Sequence, residues 1–209
     1  MQALLLTLSF TLLSAVAHAA GCEVAASPKE RMNVTIAGYG FDPLLDPAPV
    51  PAELRANEST TGRHWWLVQL KKSPTREEHR RLASIYGLAL ARATQGNAYI
   101  ESVDAQNVAK LKCEPSVRSI SLLHPGFKIA PPLQKKRSTL RAQNVIVSLH
   151  DPSTVEAAAS RIRALGVGEV TINGDRITLR ISEPDRIVDV ARLEDVRWIE
   201  PQPVRDEDR

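Results

Sequence analysis

From residue 63 onward the alternation of apolar and polar positions falls into two similar blocks. Trp66-Leu67-Val68-Gln69-Leu70 is matched 79 residues later by Val145-Ile146-Val147-Ser148-Leu149, and Val117-Arg118-Ser119-Ile120 by Val196-Arg197-Trp198-Ile199. Without a gap, the same offset sets Gly87 on Gly166, Ile100 on Leu179, Val108 on Ile187 and Leu111 on Val190. Apolar meets apolar and glycine meets glycine, the mark of an internal repeat. Two copies are too few for a solenoid, so tandem modules are predicted.

Within the first block the pattern predicts a strand over 65–70. Ser73-Pro74-Thr75-Arg76-Glu77-Glu78 then combines a capping residue, an early proline and acidic residues, the signals of a helix start. The helix should run to about Tyr86, with Leu82, Ile85 and Tyr86 on one face and Gly87 supplying the left-handed stop. Strands are predicted over 88–93 and 98–103, a short helix bearing Val108 and Leu111 after Asp104, and a closing strand over 117–123. The second block repeats the order, with strands over 144–149, 167–172, 176–181 and 196–200 and helices over 153–165 and 183–192. Asn173-Gly174 suits a type I′ turn, so the second and third strands of that block should pair.

The order βαββαβ with a central hairpin is that of a ferredoxin-like module. The predicted fold class is therefore α+β: two tandem ferredoxin-like modules, each a four-stranded antiparallel sheet with two helices on one face. Alternation gives each strand a second face. It is expected to carry Trp65, Leu67 and Tyr99 in the first module, and Ile146, Thr178 and Trp198 in the second. These faces are too apolar for simple exposure to water. Something should cover them, each other being one candidate.

The predicted divisions are a signal peptide over 1–20, an extended Pro/Ala-rich arm over 21–62, modules over 63–124 and 143–201, a linker over 125–142 and a charged tail over 202–209. The first twenty residues hold no Lys, Arg, Asp or Glu, run apolar from Ala3 to Val16 and end in Ala17-His18-Ala19. That run is shorter than a membrane span and reads as an export signal. The expected location is secreted or periplasmic. The arm shows no sustained period and is expected to add little to a core. Cys22 and Cys113 leave three readings open: a disulfide, two free thiols, or lipidation of Cys22, since Ala19-Ala20-Gly21-Cys22 loosely resembles a bacterial lipobox. Only the last would give the chain a membrane partner. Lys135-Lys136-Arg137 is either a solvated linker or a processing site.

The net charge of +3 hides an asymmetry: residues 63–137 carry 14 basic against 5 acidic groups, and residues 138–209 carry 10 against 13. A basic module suits nucleic acid, but the export signal and the scarcity of aromatics, three each of Trp, Tyr and Phe, speak against stacking on bases. No nucleic-acid partner is expected. The five histidines, at 18, 64, 79, 124 and 150, lack metal-ligand spacing, and there is no Cys-x-x-Cys. Gly38 and Gly40 open no helix, so no phosphate loop is predicted. The expectation is no metal, no cofactor and no small-molecule ligand.

The strand Trp66-Leu67-Val68-Gln69-Leu70, the closing Val196-Arg197-Trp198-Ile199-Glu200-Pro201 after Leu193-Glu194-Asp195, and His124-Pro125-Gly126-Phe127-Lys128-Ile129-Ala130-Pro131 between the blocks resemble the propeptide and inhibitor domain of subtilisin-like serine peptidases. The resemblance covers about residues 63–204, as two copies. It implies an inhibitor and folding chaperone whose partner is the cognate peptidase. Its contacts would be the sheet face Ile146, Thr178 and Trp198 and a substrate-like tail, Pro201, Gln202, Pro203, Val204 and Arg205. Trp198 as a simple core residue is the competing reading. The settings in which that family holds its acid, base and nucleophile, such as Asp-Ser-Gly, His-Gly-Thr and Gly-Thr-Ser-Met-Ala, are missing from this chain. Since peptide hydrolysis needs all three groups together, the chain is not expected to be an enzyme. It would act in trans or as the pro-region of a longer precursor. The alternative, from another functional class, is a noncatalytic exported assembly or adhesion module.

Overall fold

A computed structural model describes residues 30–57, 61–134 and 143–203. The predicted signal peptide over 1–20, Cys22, Lys135-Lys136-Arg137, Val204 and Arg205 lie outside the described residues. The chain forms a mixed α/β structure with two four-stranded antiparallel sheets and one small hairpin.

In the first block the elements are β3 (Arg63–Leu70), α1 (Arg76–Tyr86), β4 (Ala93–Thr94), β5 (Ala98–Asp104), α2 (Ala105–Lys112) and β6 (Val117–Leu122), preceded by the hairpin β1 (Val34–Ile36) and β2 (Tyr39–Phe41). In the second they are β7 (Gln143–Leu149), α4 (Val155–Leu165), β8 (Gly168–Asn173), β9 (Arg176–Ile181), α5 (Ile187–Ala191) and β10 (Val196–Pro201), with a short α3 (Pro131–Gln134) between the blocks. The strand orders are β4-β5-β3-β6 and β10-β7-β9-β8. Both sheets therefore place the first and third strands of their block in the middle.

Local chemistry explains the helix ends. Thr75 caps α1 in a reciprocal capping box with Glu78, satisfying two amide groups at the start of the helix. Gly87 and Gly166 end α1 and α4 at φ 71° and 63°, a left-handed step that needs no side chain. The helix expected over 183–192 is shorter: a 3-10 turn at Pro184–Arg186 precedes α5.

One strand departs more sharply from expectation. The run 88–93 does not form a full edge strand, and β4 holds only two residues. The buried Glu101 carboxylate intervenes, accepting the amides of Ala89 and Leu90 at 2.8 Å each, while Leu90 takes a positive φ of 46°. A side chain here supplies the acceptors that a strand partner would otherwise provide. The corresponding residue of the second block is Arg180, and there β8 is complete.

Two hydrophobic clusters divide the interior. The first lies between the first sheet and its helices and contains Trp66, Val68, Leu82, Tyr99, Val108 and Leu111. Tyr99 belongs here, paired with Val68 in the β3–β5 register, and not on the outer face. The second cluster runs through the core of the second block and continues into the arm and the linker. Val34, Ile36, Phe41, Val50 and Leu54 of the arm, and Phe127, Ile129 and Leu133 of the linker, are all buried in it. At roughly 1.5–3 kcal/mol per buried large side chain, the arm contributes substantially to the core, contrary to its sequence reading. Its prolines break any regular period, so its apolar residues do not announce themselves as a pattern.

The arm covers the outer face of the first sheet, burying Leu67 and Ala98. A β-bulge fastens it. The register between β3 and β6 shifts between Gln69 and Leu70, leaving Arg118 as the extra residue, and a bulge re-aims the side chain it inserts. Arg118 reaches both oxygens of Asp42 at 2.6 and 2.7 Å and Gln69 Oε1 at 2.7 Å. Asp42 also accepts the amides of Met32 and Leu44, and Gln69 donates to the Met32 carbonyl. Every polar group in this buried knot has a partner, which is the condition for burying it.

Candidate functional site

Among the described residues nothing covers the outer face of the second sheet to a comparable extent. Its helix-side residues Val145, Val147, Ile177, Leu179 and Ile199 are fully buried, which fixes by alternation what stands on the other side. Ile146 lies between Thr178 on β9 and Glu200 on β10, and Trp198 pairs with Ser148. All of Ile146, Thr178, Trp198 and Glu200 are half-buried, and neither Ile146 nor Trp198 joins a hydrophobic cluster. The sheet thus brings together the three residues singled out from the sequence, and Trp198 is not a core residue.

Polar groups hold this surface in place. The Trp198 indole donates to Glu200 at 3.1 Å, and the Asn173 amide donates to Thr178 Oγ1 at 2.7 Å. Arg176 and Arg180 flank it on β9, both exposed, facing Asn173 and Glu169 on β8. The result is an apolar strip with a charged rim, the usual composition of a protein-binding surface. A second bulge repeats the first: the register of β10 on β7 shifts between Val196 and Trp198, so Arg197 is the extra residue. Arg197 occupies the repeat position of Arg118, yet it is exposed. Ser148 stands where the first block has Gln69.

The tail leaves from the edge of this sheet. Pro201 ends β10 opposite Val145, and Gln202 donates its amide to the Asn144 carbonyl at 3.0 Å. Gln202 and Pro203 are exposed. Cys113, the C-cap of α2, is exposed and has no disulfide partner among the described residues.

The two blocks are locked by groups that no sequence spacing singled out. His150, just after β7, stacks on Trp65 of β3 with ring centroids 3.5 Å apart, and Arg92 sits 5.2 Å from the Trp65 ring centre. Arg92 also donates to His150 Nδ1 at 2.7 Å and to the His150 carbonyl at 2.5 Å. Burial, together with Lys128, Arg92 and Arg197, pushes the His150 imidazolium down to about 2. Its neutral ring accepts at Nδ1 and so carries its proton on Nε2, which has no partner among the described residues. Lys128 is buried too; desolvation lowers it to about 8, partly offset by Glu194 and Asp195, while its ammonium donates to the Leu193 carbonyl. His64 pairs with Glu194 at 3.0 Å across the same boundary, which raises its pKa through that hydrogen bond and one to the Thr61 carbonyl. A cleft of about 200 Å³ lies beside these groups, lined by Arg55, His64, Trp65, Lys128 and Glu194.

Among the described residues no three His, Cys, Asp or Glu side chains converge as metal ligands, and no helix is long and apolar enough to cross a membrane. The chain matches no family model, no curated protein and no solved structure.

Proposed function

We propose that the chain is an exported, propeptide-like inhibitor and folding chaperone of a subtilisin-like serine peptidase, acting in trans or as the pro-region of a longer precursor, and that its two βαββαβ units are ferredoxin-like modules. The observation that carries this reading is the unequal cover of the two sheets. The arm occupies the outer face of the first, whereas the strip Ile146, Thr178 and Trp198 of the second is left half-exposed beside an emerging extended tail. On this reading the second module is the one that binds. Its strip lies against the peptidase surface, and the chain from Pro201 onward runs through the active site as a non-productive substrate. The prolines at 201 and 203 restrict that segment before it binds, so less chain entropy is lost on docking.

The test is inhibition of a panel of subtilisin-like peptidases by the chain lacking residues 1–20, against a version ending at Glu200 and a Trp198→Ala variant. A central aromatic anchor is worth about 2 kcal/mol or more, so Trp198→Ala should weaken inhibition by about 30-fold. Removal of the tail should abolish it. If the intact chain inhibits none of the panel and speeds the refolding of none, the peptidase reading fails and the strip is left as an assembly surface.

A further inference from the structure

The internal repeat sets an open strand edge in the first block against a filled one in the second. In the second block the slot between α5 and the outer edge of β10 is filled by the chain itself. Phe127 and Ile129 are buried there, Ile129 forms a parallel bridge with Ile199, and the Ala130 amide donates to the Ile199 carbonyl at 2.8 Å. In the first block the same slot lies between α2 and the outer edge of β6. Ile120 is the repeat partner of Ile199, and it faces Val68 on β3 as Ile199 faces Val147 on β7. The carbonyl of Ile120 therefore points outward, as that of Ile199 does. No backbone group among the described residues meets it outside β6's own sheet.

That slot opens into a groove of about 500 Å³, lined by Trp66, Ile120 and Leu122 of the sheet, by Lys112 at the end of α2, by His124, and by the arm at 47–48 and 55–56. The volume is in the range of a ligand site, and an unpaired strand edge is a template for another strand. The rim groups are basic or neutral, with no carboxylate among the lining residues. Arg55 and Lys112 are exposed, and neither makes a described ion pair.

We propose that the outer edge of β6 accepts an extended peptide segment of a partner protein, added parallel to β6, with a branched apolar residue followed by a small one over Ile120 and acidic residues at its ends. The chain's own Phe127-Lys128-Ile129-Ala130 shows how such a segment sits on the corresponding edge of the second module. Main-chain hydrogen bonds supply the affinity and the apolar pocket the register, as in other strand additions. The site is independent of the peptidase reading.

The probe is a fluorescein-labelled peptide, Glu-Phe-Thr-Ile-Ala-Glu, titrated into the full chain by anisotropy, with amide exchange at Ile120 and Leu122 followed by NMR. Two derivatives separate strand addition from unspecific adhesion. Methylating the alanine amide removes the donor that corresponds to Ala130 and should weaken binding about fivefold or more, whereas methylating the isoleucine amide, which points away, should not. Lys112→Glu, an exposed change, should weaken binding by about threefold. Trp198→Ala should bind the probe unchanged, whatever its effect on peptidase inhibition. The proposal is overturned by saturable binding that treats both methylated peptides alike, by exchange at Ile120 and Leu122 that the probe leaves unaltered, or by no binding at millimolar probe. It is also overturned if those amides become protected only by self-association that the probe does not displace, since the occupant is then a second copy of the chain.

Discussion

Replacing Asp42 tests whether the arm belongs to the folded core or merely lies on it. The Asp42 side chain is fully buried and its partner Arg118 nearly so, and the carboxylate receives two guanidinium and two backbone donors. Asp42→Ala would leave Arg118 charged and buried with only Gln69 and the Glu30 carbonyl to meet it. Breaking a buried pair on one side costs about 3–5 kcal/mol. Removing both charges, as in Asp42→Ala with Arg118→Met, should recover much of that loss, because no ion is then left without a counter-charge. The assay is urea unfolding followed by tryptophan fluorescence, run as a double-mutant cycle, with a coupling of about 2 kcal/mol or more expected for a contacting buried pair. Limited proteolysis should show the arm and both modules becoming sensitive together. A loss below about 1 kcal/mol for Asp42→Ala, or an arm cleaved while the remaining transition is unmoved, would refute the idea that one core holds all three. The Asp42 carboxyl is held well below its usual range by Arg118 and the amides. Its contribution is therefore complete above the unfolded carboxylate pKa and fades as pH falls toward the folded value.

His64 should titrate above the ordinary histidine value in an NMR pH series, and Glu194→Gln should bring it down, because the Glu194 hydrogen bond is the largest cause of the shift; an unmoved midpoint would place the cause elsewhere. His150 has the opposite sign. Its folded value is depressed, so the unfolded chain binds the extra proton, and stability should decline as pH drops below about 6.5 with a slope approaching 1.4 kcal/mol per unit; His150→Leu should remove that component in urea titrations between pH 4 and 7. Gly96→Ala should destabilise by about 1 kcal/mol or more, because φ is +77° and a Cβ there would stand 2.2 Å from the Asn33 carbonyl of the arm; denaturation midpoints would show it. Arg197→Met should change stability by less than about 0.5 kcal/mol, in contrast to Arg118→Met at the repeat position, since Arg197 is exposed.

The repeat, the strand positions and the helix ends were legible because each rests on local chemistry. Thr75 and Glu78 close a capping box within four residues, and Asn173-Gly174 turns β8 into β9. What stayed hidden depends on long-range partners. Nothing around Asp42 announces Arg118, 76 positions away, and Glu101 looks like an ordinary strand residue until the Ala89 and Leu90 amides are seen on it. Alternation within β5 does not say which of its faces meets the helices; the pairing of Tyr99 with Val68 does, and it puts Tyr99 inside. The outer strip of the second sheet was legible from alternation alone; that it remains uncovered was not, since cover is decided by the arm.

The asymmetry between the modules follows from two substitutions within a shared bulge. In the first module Gln69 and Arg118 stand side by side and bind the arm through Asp42 and the Met32 carbonyl. In the second, Ser148 is too short to reach across to a docking segment, and Arg197 meets no such acid among the described residues. The same backbone device, placing an arginine beside the outer face, therefore seals one sheet and leaves the other open. The linker makes the converse choice at the sheet edges, closing β10 through Ile129 and Ala130, while among the described residues no strand pairs with the outer edge of β6. Each module is thus covered where its sister is free: the first keeps an edge and the second keeps a face. An edge accepts backbone, and a face accepts side chains. On the two proposals made above, the chain would hold two different partners at once, and binding to one would displace nothing that covers the other.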